Sequence, residues 1–219
     1  MNLGVFFDEV RNSLFGGRLT QDQVEGMENI IRYRDENYRG ITDDQLAYML
    51  ATVKWETAHT MQPIKEYGSQ SYLRSKPYFP YYGRGLVQLT WKANYERYNI
   101  ANTPDKALEW PTSLLVMFDG MTKGIFTGKK LSDYIADGRR DYVNARRIIN
   151  GTDRAKEIAA IADDYRAAIL KAQAAVEPPP PPPQPSLQSR FDEMLIVALQ
   201  TNPQVQDLVR QLKEDYIND

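Results

Sequence analysis

Apolar residues recur three and four positions apart along much of the first 176 residues, which is the spacing of one face of a helix. The first clear segment follows Thr20, and Gln23 three positions later completes a capping box. Its apolar positions are Val24, Met27, Ile30 and Ile31. The pattern predicts a helix that begins at Thr20 and continues to about position 37.

A second segment repeats these signals between positions 41 and 58. Thr42 and Gln45 form another capping box, and two aspartates in the first turn favour the positive end of the helix dipole. The apolar stripe consists of Leu46, Met49, Leu50 and Val53. Because proline cannot continue a helix, this one should end before Pro63.

The remaining pattern predicts a mainly helical, all-α fold. Positions 68 to 84 are rich in tyrosine, serine and proline and lack a helical period, so we expect a loop with room for one short hairpin. Segments 102–126, 130–150 and 153–175 look helical again. Asn150 and Gly151 form a C-terminal stop signal for the second of them.

The end of the sequence has a different composition. Seven prolines between positions 178 and 185 are incompatible with helix and sheet and favour a stiff polyproline II spacer of about 25 Å. Beyond them, apolar residues return at helical spacing on both sides of Pro203. We therefore divide the sequence into a main domain at 1–175, a proline-rich linker at 176–186 and an amphipathic helical tail at 187–219.

Composition excludes several classes of site. The 219 residues contain no cysteine and a single histidine, His59, so disulfides, thiolate sites and histidine-rich metal sites are not expected. No apolar run approaches the roughly 20 residues that cross a bilayer, and charged residues interrupt the first fifteen positions, unlike a signal peptide. The near-neutral charge of residues 1–176 and the lack of a recognised motif argue against nucleic-acid binding.

One carboxylate stands where the second helix should be apolar. The stripe continued beyond Val53 leads to Glu56 and Thr57. Burial and the negative end of the helix dipole both disfavour the charged form of a glutamate there, and a carboxyl group that keeps its proton can act as a general acid. The alternative is that Glu56 pairs with a buried arginine or rotates outwards beside Lys54.

The following segment adds a second acid and many aromatic residues. Glu66 follows Glu56 by ten positions, and two carboxylates that flank a cleft are the minimum for hydrolysis of a glycosidic bond. Aromatic residues then crowd between positions 67 and 98; they are Tyr67, Tyr72, Tyr78, Phe79, Tyr81, Tyr82, Trp91, Tyr95 and Tyr98. Because they alternate with polar residues, they predict a saccharide groove, with an aromatic core as the alternative.

The stretch YYGRGLVQLTWKANY at 81–95, together with WET at 55–57, resembles the signature of glycoside hydrolase family 19, the class I chitinase-like enzymes. The segment FGGRLTQDQVEGMENII also resembles the first helix of bacteriophage endolysins that carry such a domain. The resemblance covers about positions 14 to 170. It implies a lysozyme-like helical fold, inverting hydrolysis, and no requirement for a metal or cofactor.

Position by position, the resemblance implies roles for individual residues. Glu56 corresponds to the general acid, and Thr90 stands where the family has a serine that helps to hold the attacking water. Glu66 is the candidate general base, as in the shorter endolysin-type members. The candidate substrate contacts are Tyr82, Arg84, Gln88, Trp91, Asn94 and Asn150.

The combined prediction is an endolysin that hydrolyses β-1,4 bonds in the glycan strands of bacterial peptidoglycan. It would be made in the host cytoplasm and reach the cell wall through a holin-type pore, with neither a nucleic-acid partner nor stable membrane insertion. The alternatives are a lytic transglycosylase or chitinase on the same scaffold, and a non-catalytic glycan-binding or virion structural module. The tail could dock on its own catalytic domain, dimerise, or bind another partner.

Overall fold

The computed structural model describes residues 1–176 and 186–218, except for the side chains of residues 187 and 215–218. Packing divides the chain into two compact units, Met1–Glu177 and Pro178–Asp219. The polyproline II spacer predicted from the sequence lies outside the described residues.

The described residues are mainly helical, which confirms the expected class. They form ten α-helices: α1 Leu3–Leu14, α2 Gln21–Asn37, α3 Asp43–Glu56, α4 Gln70–Arg74, α5 Lys92–Arg97, α6 Trp110–Lys123, α7 Tyr142–Ala145, α8 Ala155–Ala174, α9 Leu187–Thr201 and α10 Pro203–Asn218. Short 3-10 helices occupy Pro104–Leu108, Leu131–Asp133 and Arg146–Ile148. Two antiparallel pairs of strands complete the list: β1 Ile64–Lys65 with β2 Arg84–Gly85, and β3 Ile135–Ala136 with β4 Arg139–Arg140. No helix in the described ranges is both long enough and apolar enough to span a membrane.

Both predicted capping boxes are present. The Gln23 backbone N–H donates to the Thr20 hydroxyl at 3.2 Å, and the Thr20 N–H donates to the Gln23 side-chain oxygen at 2.9 Å. Thr42 and Gln45 make the same pair of bonds ahead of α3. As predicted, α3 ends before Pro63, and its last residue is Glu56.

Helix α3 is the centre of the first unit and is buried on every side from Gln45 to Lys54. Helix α8 makes the most extensive contact with it, and α1 packs on α8. The predicted stripe of Leu46, Met49, Leu50 and Val53 is buried as expected. The other faces of this stretch are buried as well, because neighbouring elements enclose the helix. Two of its buried polar side chains bond to backbone carbonyls: the Gln45 amide donates to Ile135 at 2.7 Å, and the Thr52 hydroxyl donates to Tyr48 at 3.0 Å. Helix α3 reaches the surface at its two ends, at Asp43 and Asp44 and again at Trp55 and Glu56.

Two other predicted elements differ from the structure. The helix expected over 130–150 is wrong: strands β3 and β4 form a hairpin there, with Asp137 and Gly138 at positive φ in its two-residue turn. The short hairpin expected within 68–84 is also absent from the described structure. Instead, β1 and β2 pair across the two ends of that loop, with Ile64 opposite Gly85.

In the second unit, α9 and α10 lie on either side of the Asn202–Pro203 junction. This confirms the predicted pair of tail helices.

Gly26 on α2 allows this helix to approach the segment that follows α3. A Cβ atom at Gly26 would lie 2.0 Å from the Met61 carbonyl oxygen. We therefore expect Gly26→Ala to lower the free energy of unfolding by about 1–3 kcal/mol, as overpacking of a core does. Gly4→Ala on α1 is the control, because its Cβ would meet only a side-chain oxygen at 3.3 Å. Urea denaturation measures both, and equal stabilities of the two variants would contradict the close packing.

Candidate active site

A cleft of about 440 Å³ opens at the C-terminal end of α3. Its lining residues are Glu56, Glu66, Tyr78, Gly83, Val87, Gln88, Leu89, Thr90, Trp91, Asn94, Phe126, Ile149 and Asn150. Seven of the nine candidate catalytic and substrate-contact residues are among them: Glu56, Glu66, Gln88, Thr90, Trp91, Asn94 and Asn150. The two remaining candidates, Tyr82 and Arg84, are not part of this lining.

Glu56 enters the cleft from the last turn of α3 with 14% of its side chain exposed. Its Oε1 atom accepts a hydrogen bond of 2.5 Å from Nη1 of Arg146, whose side chain is 4% exposed. The apolar, unpartnered setting expected for Glu56 is therefore wrong, and the alternative of a buried arginine partner is present. Even so, the carboxylate lines the cleft and does not turn away from it.

Arg146 is a site residue that the sequence analysis missed. It belongs to the short 3-10 helix after α7, and its Nε also donates to the Asp153 carbonyl at 3.1 Å. The guanidinium is thus fixed between a backbone oxygen and Glu56. Because partners on both sides restrict it, Arg146 holds one oxygen of the Glu56 carboxylate in a defined place.

Glu66 follows β1 directly, and both of its carboxylate oxygens accept hydrogen bonds. The Tyr78 hydroxyl donates to Oε1 at 2.9 Å, and the Gly83 backbone N–H donates to Oε2 at 3.0 Å. Burial, together with the hydrogen bond to Glu66, raises the pKa of the Tyr78 hydroxyl to about 12. Tyr78 therefore remains a donor at physiological pH, and the orientation of Glu66 is fixed by two elements of the loop.

The segment from Gln88 to Asn94 contributes further polar side chains to the lining of the cleft. The Thr90 hydroxyl donates to the Gln88 carbonyl at 2.8 Å, and the Asn94 amide donates to the Thr90 carbonyl at 2.8 Å. The Gln88 amide donates to the carbonyls of Ile64 and Gly85, both at 3.1 Å. The chain is extended at β2, ahead of this segment, and becomes helical at Lys92. The side chains of Gln88, Thr90 and Asn94 all line the cleft.

Backbone strain is concentrated beside the cleft. Gln88 and Trp91 both have positive φ, at 52° and 75°, and Ala58, His59 and Met61 do so just after α3. Each such residue costs on the order of 1–3 kcal/mol, and strain of this kind clusters at functional sites. Trp91 is 52% exposed, and its ring meets that of Tyr78 edge to face at 5.4 Å. This pair forms an aromatic edge on the cleft.

Arg84 and Tyr82 support the cleft loop from outside the cleft. The Arg84 side chain is buried, its guanidinium lies 3.8 Å from the centre of the Tyr82 ring, and its Nε donates to Asp105 at 2.8 Å. Its Nη1 donates to the carbonyls of Pro80 and Tyr82, both at 3.1 Å. These bonds give Arg84 a structural role in the loop, and its substrate contact stays a prediction. Tyr82 instead lines a neighbouring groove.

A scan against protein-family models finds no match for this chain, and a search of curated proteins finds none either. Within residues 1–176 and 186–218, no group of three histidine, aspartate or glutamate side chains is placed to hold a metal ion.

Proposed function

We propose that the protein is a peptidoglycan hydrolase that cleaves β-1,4 glycosidic bonds of the cell-wall glycan by acid–base hydrolysis with inversion. The observation that carries the proposal is the meeting of Glu56 and Glu66 on one cleft, although they come from different elements. The resemblance of segment 81–95 to glycoside hydrolase family 19 supports the same assignment. The lysozyme-like scaffold, and release from the host cytoplasm to the cell wall, belong to this proposal.

Glu56 is the proposed general acid. Arg146 occupies Oε1, so among the described residues Oε2 is the oxygen left to deliver a proton to the leaving group. Once the proton has been transferred, the Arg146 cation stabilises the carboxylate that remains.

Glu66 is the proposed general base. Its two donors, Tyr78 and Gly83, hold the carboxylate without neutralising it. A water molecule held between Glu66 and the Thr90 hydroxyl would attack the sugar from the face opposite the leaving group. Inversion leaves room for that water when the two carboxyl groups are roughly 6.5–9.5 Å apart.

The other lining residues suit a saccharide. Trp91 and Tyr78 offer aromatic rings for the apolar faces of sugars, and the amides of Gln88, Asn94 and Asn150 can bond sugar hydroxyls. Asn150 is exposed, and its side-chain oxygen accepts a hydrogen bond from the Gly151 N–H at 2.9 Å. The cleft therefore combines the two kinds of contact that a glycan strand requires.

A turbidity assay tests for enzymatic activity. The purified chain is added to permeabilised Gram-negative cells, and the proposal predicts that the suspension clears. A non-catalytic glycan-binding or structural module would bind the cell walls without clearing the suspension. That result, with binding shown by co-sedimentation, would overturn the proposal.

Gly83 tests the fine geometry of the cleft. A Cβ atom there would lie 2.6 Å from the side-chain oxygen of Gln88, and the Gly83 N–H also holds Glu66. Because small displacements of catalytic groups are costly, we expect Gly83→Ala to reduce the rate of clearing by about tenfold to a hundredfold. Gly40→Ala is the control, since nothing lies within 4 Å of its Cβ position. A Gly83→Ala variant that is fully active would show that this contact does not position the site.

A further inference from the structure

The second unit presents an apolar surface that its own two helices leave uncovered. Seven large apolar side chains are at least 45% exposed: Phe191, Met194, Leu195, Ile196, Val197, Leu208 and Leu212. Ile196 and Val197 lie on other faces of α9. The remaining five present roughly 550 Å² of apolar surface, so two copies together would bury about 1,100 Å², just above the ~1,000 Å² that a specific interface needs.

Most of this surface forms one stripe on each helix. Phe191, Met194 and Leu195 are three and four positions apart on α9, as are Val205, Leu208 and Leu212 on α10. Ala198 and Leu199 on α9, and Val205 and Val209 on α10, are half-buried. The two helices contact each other, so each stripe has one covered edge and one exposed edge. This is the arrangement of half of a four-helix bundle.

Charge is absent from the middle of this surface. Residues 194 to 206 include no aspartate, glutamate, lysine or arginine. The charged residues of the pair flank that stretch, and helical spacing places them off the stripe; examples are Arg190 and Glu193 on α9 and Asp207 and Arg210 on α10. An uncharged apolar patch can face a copy of itself without burying an unpaired charge.

The size of the unit favours an additional partner. Helices of 15 and 16 residues are only marginally stable alone, and units below about 40 residues usually need a disulfide, a metal or oligomerisation. The sequence has no cysteine, and the described residues offer no metal cluster. Residues 187–219 carry six acidic and three basic residues, a balance that disfavours anionic lipid surfaces.

We propose that α9 and α10 are a dimerisation module, in which two copies of the chain pack stripe against stripe as a four-helix bundle. The interface is isologous, since the same patch is used by both copies about a two-fold axis. It does not depend on the chemistry of the cleft.

The test is the molar mass of the full chain in solution, measured by size-exclusion chromatography with light scattering. The proposal predicts twice the chain mass of 25.2 kDa. The double variant Met194→Asp/Leu208→Asp should give the monomer mass, because it places charge at the centre of the interface. Leu115→Asp changes a leucine of α6 that is 42% exposed, and this control should remain a dimer.

Two results would overturn the proposal. One is a wild-type chain that has the monomer mass at every concentration tested. The other is a wild-type dimer whose mass is unchanged in Met194→Asp/Leu208→Asp, since the dimer would then use a different surface. A monomer that floats with vesicles of phosphatidylethanolamine and phosphatidylglycerol would assign the stripe to a membrane. The wild-type mass is decisive even if the double variant fails to fold its tail.

Discussion

Replacing Glu56 by Gln is expected to abolish lysis and leave the fold intact. The amide keeps the volume of the carboxyl group, and its oxygen can still accept the hydrogen bond from Arg146, but it cannot donate the acidic proton. A general acid contributes about 10²–10⁴-fold to a rate, so we expect a loss of at least about 10²-fold. The rate of clearing of permeabilised cells and the circular dichroism spectrum measure the two effects.

Glu96→Gln is the matched control for this experiment. Glu96 lies on α5, is exposed, and pairs with Lys92 at 3.4 Å, so its loss should leave lysis unchanged. Substantial lysis by a correctly folded Glu56→Gln variant would refute the role of Glu56 as the proton donor.

Replacing Arg146 by Met is expected to give the largest loss of stability. The change leaves the Glu56 carboxylate without its cation and the Asp153 carbonyl without a donor. Removing one partner of a buried ion pair costs about 3–5 kcal/mol, because the remaining charge is uncompensated. Urea denaturation measures the loss. Arg147→Met is the control, since Arg147 is exposed and such substitutions usually change stability by about 0.5 kcal/mol or less.

The double variant Glu56→Gln/Arg146→Met separates the ion pair from simple packing. If the pair causes the loss, Arg146→Met should cost less in the Glu56→Gln background, with a coupling energy of about 0.5–3 kcal/mol. Strictly additive losses would mean that Arg146 contributes through its packing alone. Arg146 would then no longer explain how the Glu56 carboxylate is positioned.

Local signals in the sequence predicted local structure well. The capping boxes at Thr20 and Thr42 mark the starts of α2 and α3, and Pro203 separates the two tail helices. Each of these features depends on residues within four positions of one another. A single sequence is enough to predict such features, because the hydrogen bonds and steric contacts that cause them join residues close together in the chain.

Features that depend on distant partners could not be read in this way. Arg146 is 90 positions from Glu56. Nothing in the sequence distinguishes this buried arginine from its exposed neighbours Arg139, Arg140 and Arg147. Helix α1 was not predicted, and it is held by packing on α8 and by the Asn2 N–H, which donates to the Ala172 carbonyl at 2.9 Å. The burial of α3 on all sides likewise depends on packing that periodicity alone does not report.

The hairpin of β3 and β4 was missed for a different reason. The Asp137-Gly138 turn is a strong local hairpin signal, but the apolar spacing around it suggested a continuous helix. The aromatic residues between positions 67 and 98 are divided between the lining of the cleft and the core. Tyr78 and Trp91 line the cleft, whereas Tyr95 is fully buried and donates a hydrogen bond to the Tyr82 carbonyl at 2.7 Å.

The most direct measurement of the proposed chemistry is the anomeric configuration of the first products from purified peptidoglycan. Proton NMR during digestion gives the configuration, and mass spectrometry of the muropeptides gives the bond cleaved. A Glu66-activated water requires reducing-end sugars released first as the α-anomer, with the oxygen of solvent water incorporated. Products released as the β-anomer, or as 1,6-anhydro sugars without solvent oxygen, would contradict the role of Glu66 as the base that activates the attacking water, and with it the inverting hydrolysis proposed here.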